Sequence, residues 1–254
     1  MLQAPARWIV GWSRIVFFGA MVLVLALSPS SYTARTNATL ARHLYLDTAP
    51  ILGGFTLMCA FLTLVITRIV IVTAVSYGLS QYALEMLIRV LVLELIPLTG
   101  ALFVALRCTI PNGAALATLK GDGAFERERR AGHEPLVTQV LPRVLAGLFA
   151  TITLAALSCV VALVLVYLAV YGVTAAGAPG YTRVFGNVFV PEVVLIFMLK
   201  TLFFSLAVSI IPIASALQGE AFAGSRETAA LYGLVRMFAV LLMLEALSLA
   251  GNYA

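Results

Sequence analysis

Five stretches of this chain are apolar over lengths that match or exceed the thickness of a membrane, which leaves little freedom in how it can fold. They run from Ile51 to Val75, Ala83 to Leu119, Val144 to Val173, Val193 to Leu217 and Ala229 to Leu249. A helix needs ~20 apolar residues to cross a ~30 Å hydrocarbon core. In lipid the backbone must satisfy its own polar groups, so such stretches form helices rather than open strands. Composition agrees: 62% of residues are apolar and only 11% charged, against roughly 25% charged in a soluble domain. The chain reads as an all-α integral membrane protein, with about five transmembrane helices making one domain over residues 51–250. The second stretch is too long for one straight crossing. Pro97 and the turn-like Pro111-Asn112-Gly113 predict a span ending near Arg107, followed by an irregular extension.

Residues 1–50 hold a shorter apolar run, Ile15 to Leu27, which ends at Ser28-Pro29-Ser30-Ser31. Three readings compete: a cleaved signal, a sixth span, or an interfacial helix with Trp8 and Trp12 at head-group depth. Basic residues arbitrate. With residues 1–50 inside and five spans following, Arg7, Arg14, Arg35, Arg42, Lys120, Arg127, Arg129, Arg130, Arg143 and Arg226 all fall on the cytoplasmic side. Only Arg183, in the Gly/Pro-rich outside loop at 174–191, falls on the other. The positive-inside rule thus favours an interfacial first helix, a cytoplasmic N-terminus and a C-terminus outside. The net charge of +5 fits lipid head groups. The basic residues form no aromatic-interleaved patch, so no nucleic-acid partner is expected.

Chemistry-bearing motifs are few. There is no phosphate loop, nucleophile elbow or zincin signature, so the chain reads as no enzyme, and any ATP hydrolysis belongs to a partner. Cys59, Cys108 and Cys159 each sit singly in apolar runs, and His43 and His133 lack ligand-like neighbours, so neither metal nor cofactor is expected. The informative residues are ionisable groups at membrane depth, which are costly there and usually face a partner helix or water. Arg68, Glu85, Arg89 and Arg107 lie near run ends and can snorkel. Glu94 and Lys200 sit well inside their runs, and Glu245 lies within the last. A Glu94–Lys200 pair is compatible with the sequence, which cannot show two helices touching.

The densest charge cluster is the inside connection at 120–135. Ala124 to Ala131 has the composition of a two-turn helix, with Phe125 the one bulky apolar residue among Glu126, Arg127, Glu128, Arg129 and Arg130. This suits a solvated turn, or a docking helix with one anchor and a charged rim.

Several elements, in order, resemble the MlaE/YrbE permeases of MCE-associated ABC transporters. Leu93-Glu94-Leu95-Ile96-Pro97 with Ala105-Leu106-Arg107 is similar to that family's R-E-L-G-P and A-G-R elements. Glu134-Pro135-Leu136 with Pro142-Arg143-Val144-Leu145-Ala146 resembles its D-P-L…P-R-x-x-A. Glu192 with Lys200-Thr201-Leu202-Phe203-Phe204 resembles the fourth-span element, and Ser225-Arg226-Glu227-Thr228 the S-R-A-T opening the fifth. The resemblance runs from about Leu40 to the C-terminus. It implies a homodimeric permease in a bacterial inner membrane, working with a cytoplasmic ABC ATPase and an MCE-domain lipid-binding protein to move phospholipid or a related hydrophobic molecule. It also implies that 120–135 couples to the ATPase, that Glu94, Pro97, Arg107 and Lys200 serve transport, and that Glu134, Pro135, Pro142 and Arg143 are structural; Glu245 joins the transport candidates as an ionisable group inside its run. Departures occur at Leu93, Ile96, Leu106, Gly123-Ala124 and Ala115, the last standing where the family carries an acid. They keep two alternatives in view: a non-transporting scaffold, and a secondary transporter using Glu94, Lys200 and Glu245.

Overall fold

The computed structural model describes residues 3–218 and 226–253. The regular elements among them are all helical: α1 (Gln3–Leu27), α2 (Ala34–Ser76), α3 (Ser80–Leu87), α4 (Ile96–Val104), α5 (Ile110–Gly121), α6 (Ala124–Arg130), α7 (Leu141–Tyr171), α8 (Ala178–Val188), α9 (Pro191–Gln218) and α10 (Arg226–Tyr253), with 3₁₀ turns at Pro29–Ser31 and Ala175–Gly177 and three π-helical stretches. The expected all-α membrane protein is what is found. Six helical segments are long and apolar enough to cross a membrane: Val10–Leu27, Ala34–Ser76, Tyr82–Gly121, Leu136–Tyr171, Pro191–Gln218 and Ala230–Asn252. The sixth, beyond the five apolar runs, is the N-terminal helix. The connection from Gln218 to Thr228, expected on the inside, and the Ser225–Thr228 match fall largely outside the described residues, as do the side chains of Arg7, Trp8 and Arg226.

Helix α2 shows why these elements belong in lipid. Ile51, Phe55, Cys59, Thr63 and Thr67 recur every fourth residue and are buried, while Leu57, Phe61, Val65 and Ile69 recur in the same way and are exposed. A helix apolar on both faces has no side for water, so its outer stripe meets acyl chains. The helix has 43 residues, about 64 Å at 1.5 Å per residue, twice the hydrocarbon thickness. The apolar run from Ile51 fills its second part, and the polar residues from Ala34 onward extend it beyond the membrane core. Residues 34–50 are therefore helical, continuous with the first run.

The break expected at Pro111-Asn112-Gly113 does not occur. The chain is helical through to Gly121, with Pro111 in the first turn of α5. Three π-helical stretches, Ile88–Leu95, Ala105–Thr109 and Leu136–Val140, each end two residues before a proline: Pro97, Pro111 and Pro142. Proline lacks the N–H that an α-helix needs and crowds the carbonyl four residues back. Widening the preceding turn relieves both problems, so the helix passes the proline without ending. Asn112 donates its side-chain amide to Asp47 Oδ2 at 2.8 Å. Gly113 lies so close to Pro212 O that a Cβ there would approach it at 3.2 Å.

The chain divides into two compact units. The first comprises Met1–Ala49, Val104–Ala150 and Ser205–Leu241, the second Pro50–Phe103, Thr151–Phe204 and Leu242–Ala254. The first unit is packed through small residues. A Cβ at Gly147 would meet Ser209 Oγ and Thr109 Cγ2 at 2.8 Å, and one at Gly233 would meet Ser215 Cβ at 2.6 Å. Such close backbone approach is how membrane helices gain van der Waals energy without a hydrophobic drive. Lys120, at the end of α5, donates to Leu217 O at 2.8 Å, satisfying a terminal carbonyl of α9.

The second unit has a core of Leu87, Ile88, Leu91, Ile96, Ala162, Val166 and Val188, and Phe55 stacks near Phe103 at 4.9 Å between ring centroids. Its outer segment, expected as a loop, contains α8. Tyr181 on α8 donates to Leu163 O at 2.9 Å, and its ring meets Tyr167 edge-on at 5.2 Å. Burial pushes the Tyr181 phenol up to about 12, so it stays a hydrogen-bond donor at physiological pH.

Candidate functional site

The second unit brings Glu94, Lys200 and Glu245 together. Glu94 sits in the first π-helical stretch, Lys200 on α9 and Glu245 on α10. The Lys200 ammonium is hydrogen-bonded to Glu94 Oε2 and stands 2.9 Å from Glu245 Oε2. Only 2% of the Lys200 side chain is exposed, with 10% of Glu94 and 15% of Glu245. Asn252 donates to Glu94 Oε1 at 3.2 Å. The pairing of Glu94 with Lys200, which the sequence left open, is thus present, and Glu245 completes a three-charge node.

Glu94 lies in the π-helical stretch that precedes Pro97, where the Ile96 N–H bonds Leu91 O, five residues back. Lys200 Nζ also donates to the Leu93 carbonyl at 3.2 Å. One ammonium thus hydrogen-bonds Glu94 and a backbone carbonyl and forms an ion pair with Glu245. The Phe204 ring lies one turn along α9, its centroid 5.6 Å from Nζ, a cation–π distance. With all groups ionised the node holds two negative charges against one positive. A buried pair of this kind adds little net stability, yet breaking it by removing one partner costs about 3–5 kcal/mol.

Asn252 and the Leu93 carbonyl were not singled out from sequence. The signal for Asn252 is its spacing: seven residues after Glu245 places both on one helical face. The remaining intramembrane residues stand apart. Arg68 and Arg107 are exposed, Arg107 belonging to the first unit. Arg89 pairs with Glu85 at 3.0 Å one turn away, at a half-exposed position. All three cysteines are free and buried; Cys108 donates to Asp47 O and Cys159 to Val92 O.

In the first unit, residues 120–135 form the expected short helix, α6. Gly123 and Gly132 bracket it with φ of +70° and +78°, a backbone conformation that other residues adopt only under strain. Glu126, Arg127, Arg129 and Arg130 are exposed, whereas Phe125 and Glu128 are half-buried on the inner side. Arg129 pairs with Glu126 at 3.5 Å and reaches Glu134 at 4.0 Å. Pro135 leads into the third π-helical stretch, Pro142 follows it, and Arg143 donates back to Gln139 O at 2.6 Å.

Six described helical segments long and apolar enough to cross a membrane, with a buried charge node in the second unit, mark a polytopic α-helical membrane protein. The chain belongs to the MlaE permease family: the family model described as Permease MlaE matches residues 40–250, which takes in the node and α6. No curated protein matches the chain. It is a transmembrane permease component of a transporter.

Pro97→Ala tests the link between proline and node. A restored N–H removes the need for the widened turn that carries Glu94, so the stretch is expected to tighten toward an α-helix and shift Glu94 from Lys200. The variant is expected to transport more slowly. Unchanged transport would show that the widened turn has no part in function.

Proposed function

We propose that this permease is the membrane subunit of an ATP-driven transporter that moves phospholipid or a related hydrophobic molecule. It works as a homodimer in the inner membrane of a bacterium, with cytoplasmic ABC ATPase subunits and an MCE-domain lipid-binding protein. The observation that carries this reading is the contrast in the second unit: broad apolar helix faces with a buried charge node of Glu94, Lys200 and Glu245. Apolar walls hold acyl chains, while a polar node orients a head group. A sugar or amino acid would find too few fixed polar partners. The substrate cavity lies between the two copies and opens toward the outer leaflet.

The energy source is external, because the chain has no nucleotide-binding motif. The segment at 120–135 is the docking site for the ATPase. Tagged permease isolated from its own membranes is expected to bring down an ABC ATPase whose activity requires the complex. Recovery without any nucleotide-binding partner would favour the scaffold reading. The three-charge node also suits an ion relay, and a secondary transporter would move substrate under an ion gradient without ATP.

The N-terminus lies in the cytoplasm and the C-terminus in the periplasm, with α1 at the interface. The placement rests on the distribution of basic residues, since Val10–Leu27 of α1 is by length and composition able to cross. A reporter active only outside the cytoplasm is expected to work when fused after Ala254 and to fail within Gly121 to Glu134. If α1 spans instead, the two termini share one side. Cleavage after residue 30, seen by mass spectrometry, would show a removed signal.

A further inference from the structure

Five charged residues follow Phe125 in α6, and one of them is unlike the rest. Glu128 has a side chain only 16% exposed and is bound by three residues from two other parts of the first unit. Gln139 donates its amide to Oε1 at 2.8 Å, Thr138 donates its hydroxyl to Oε2, and Arg35 at the start of α2 reaches Oε1 at 3.4 Å. The Glu128 carbonyl also accepts from His133 N at 3.0 Å. Beyond Gln139 the chain of contacts continues, since Arg143 Nη1 donates to Gln139 Oε1 at 3.1 Å. A carboxylate with its lone pairs filled from within has little left for a partner protein.

We propose that Glu128 is a positioning residue: an internal latch that clamps α6 to the Thr138-Gln139 turn leading into α7, not a contact to the ATPase. The proposal rests on the reading of 120–135 as the docking segment. Two consequences follow. With α6 fixed to the turn that opens a membrane helix, a push on the docking helix reaches α7 through side chains rather than through a slack loop. With Glu128 turned inward, the exposed face of α6 holds Arg127, Arg129 and Arg130 with Glu126, and Glu134 stands beside Arg129.

Hydrogen exchange of the full-length permease in lipid nanodiscs tests the latch without any ATPase present. Charge-assisted hydrogen bonds of this kind hold an equilibrium by about tenfold or more. Glu128→Ala is therefore expected to speed exchange over residues 124–130 by at least about that factor, with no change in α2 or α9. Glu128→Gln keeps an oxygen for Thr138 and Gln139 and is expected to change exchange far less. Arg35→Ala has a small effect, because its side chain is half exposed, and adding it to Glu128→Ala worsens nothing, as members of one network are non-additive. Unchanged exchange in Glu128→Ala overturns the latch, and so does faster exchange spread over the whole protein. Capture of the ATPase by the same variants reads docking separately. Faster exchange with normal capture is the expected pairing and leaves the latch standing, the docking role being read from Phe125→Ala. Unchanged exchange with lost capture makes Glu128 a partner contact and ends the proposal.

Discussion

Lys200→Ala is expected to abolish transport and also to lower the thermal stability of the permease. Read as a solitary ammonium, Lys200 would be dispensable for folding. The structure gives it Glu94, Glu245 and the Leu93 carbonyl as partners. Removing it strands two buried carboxylates beside each other, a loss of about 3–5 kcal/mol from a total stability of roughly 5–15 kcal/mol. The two effects separate in a compensated variant. Lys200→Met combined with Glu94→Gln and Glu245→Gln removes all three charges and leaves amides that pair with each other and with Asn252. That triple variant is expected to recover wild-type thermal behaviour while remaining inactive. Transport at the wild-type rate in the triple variant would reduce the node to a structural feature.

Phe125→Ala is expected to release the ATPase in pull-down assays. Truncating an interface anchor typically costs more than ~2 kcal/mol, which is about thirtyfold in affinity. Phe125 is half-buried on the inner side of α6, so the substitution acts on the seating of the helix as well as on contact with the partner. Hydrogen exchange over 124–130 tells the two apart: release with unchanged exchange marks direct contact. Full association in Phe125→Ala, with loss on changes between Gln218 and Thr228, would place the docking site on the other cytoplasmic connection.

The membrane class was legible because lipid imposes a length and a composition that a sequence states directly. Helix α6 was legible for a similar local reason: glycines bracket a run of good helix formers. What was not legible depended on distant partners. Pro111-Asn112-Gly113 reads as a turn by local rules, yet a π-helical stretch absorbs the proline, Asp47 takes the asparagine and Pro212 crowds the glycine. Glu128 reads as one more charge on a solvated rim until Arg35, Thr138 and Gln139 are seen around it. Glu94 and Lys200 were each visible as costly intramembrane charges. Their meeting was not, since 106 residues separate them in the chain. Helix α8 was hidden by the glycines and prolines around it, and Tyr167 and Tyr181 supply the packing that composition did not announce.

We propose that this permease moves lipid on ATP hydrolysed by a partner, through a path that needs the Lys200 node. Reconstitution tests it directly. The permease and its ATPase are placed in liposomes carrying a fluorescent phospholipid, and head-group accessibility is followed by chemical quenching. Lipid movement is expected only with hydrolysable ATP and to disappear in the triple Lys200→Met, Glu94→Gln, Glu245→Gln variant. Movement that follows an ion gradient and ignores ATP would contradict the account.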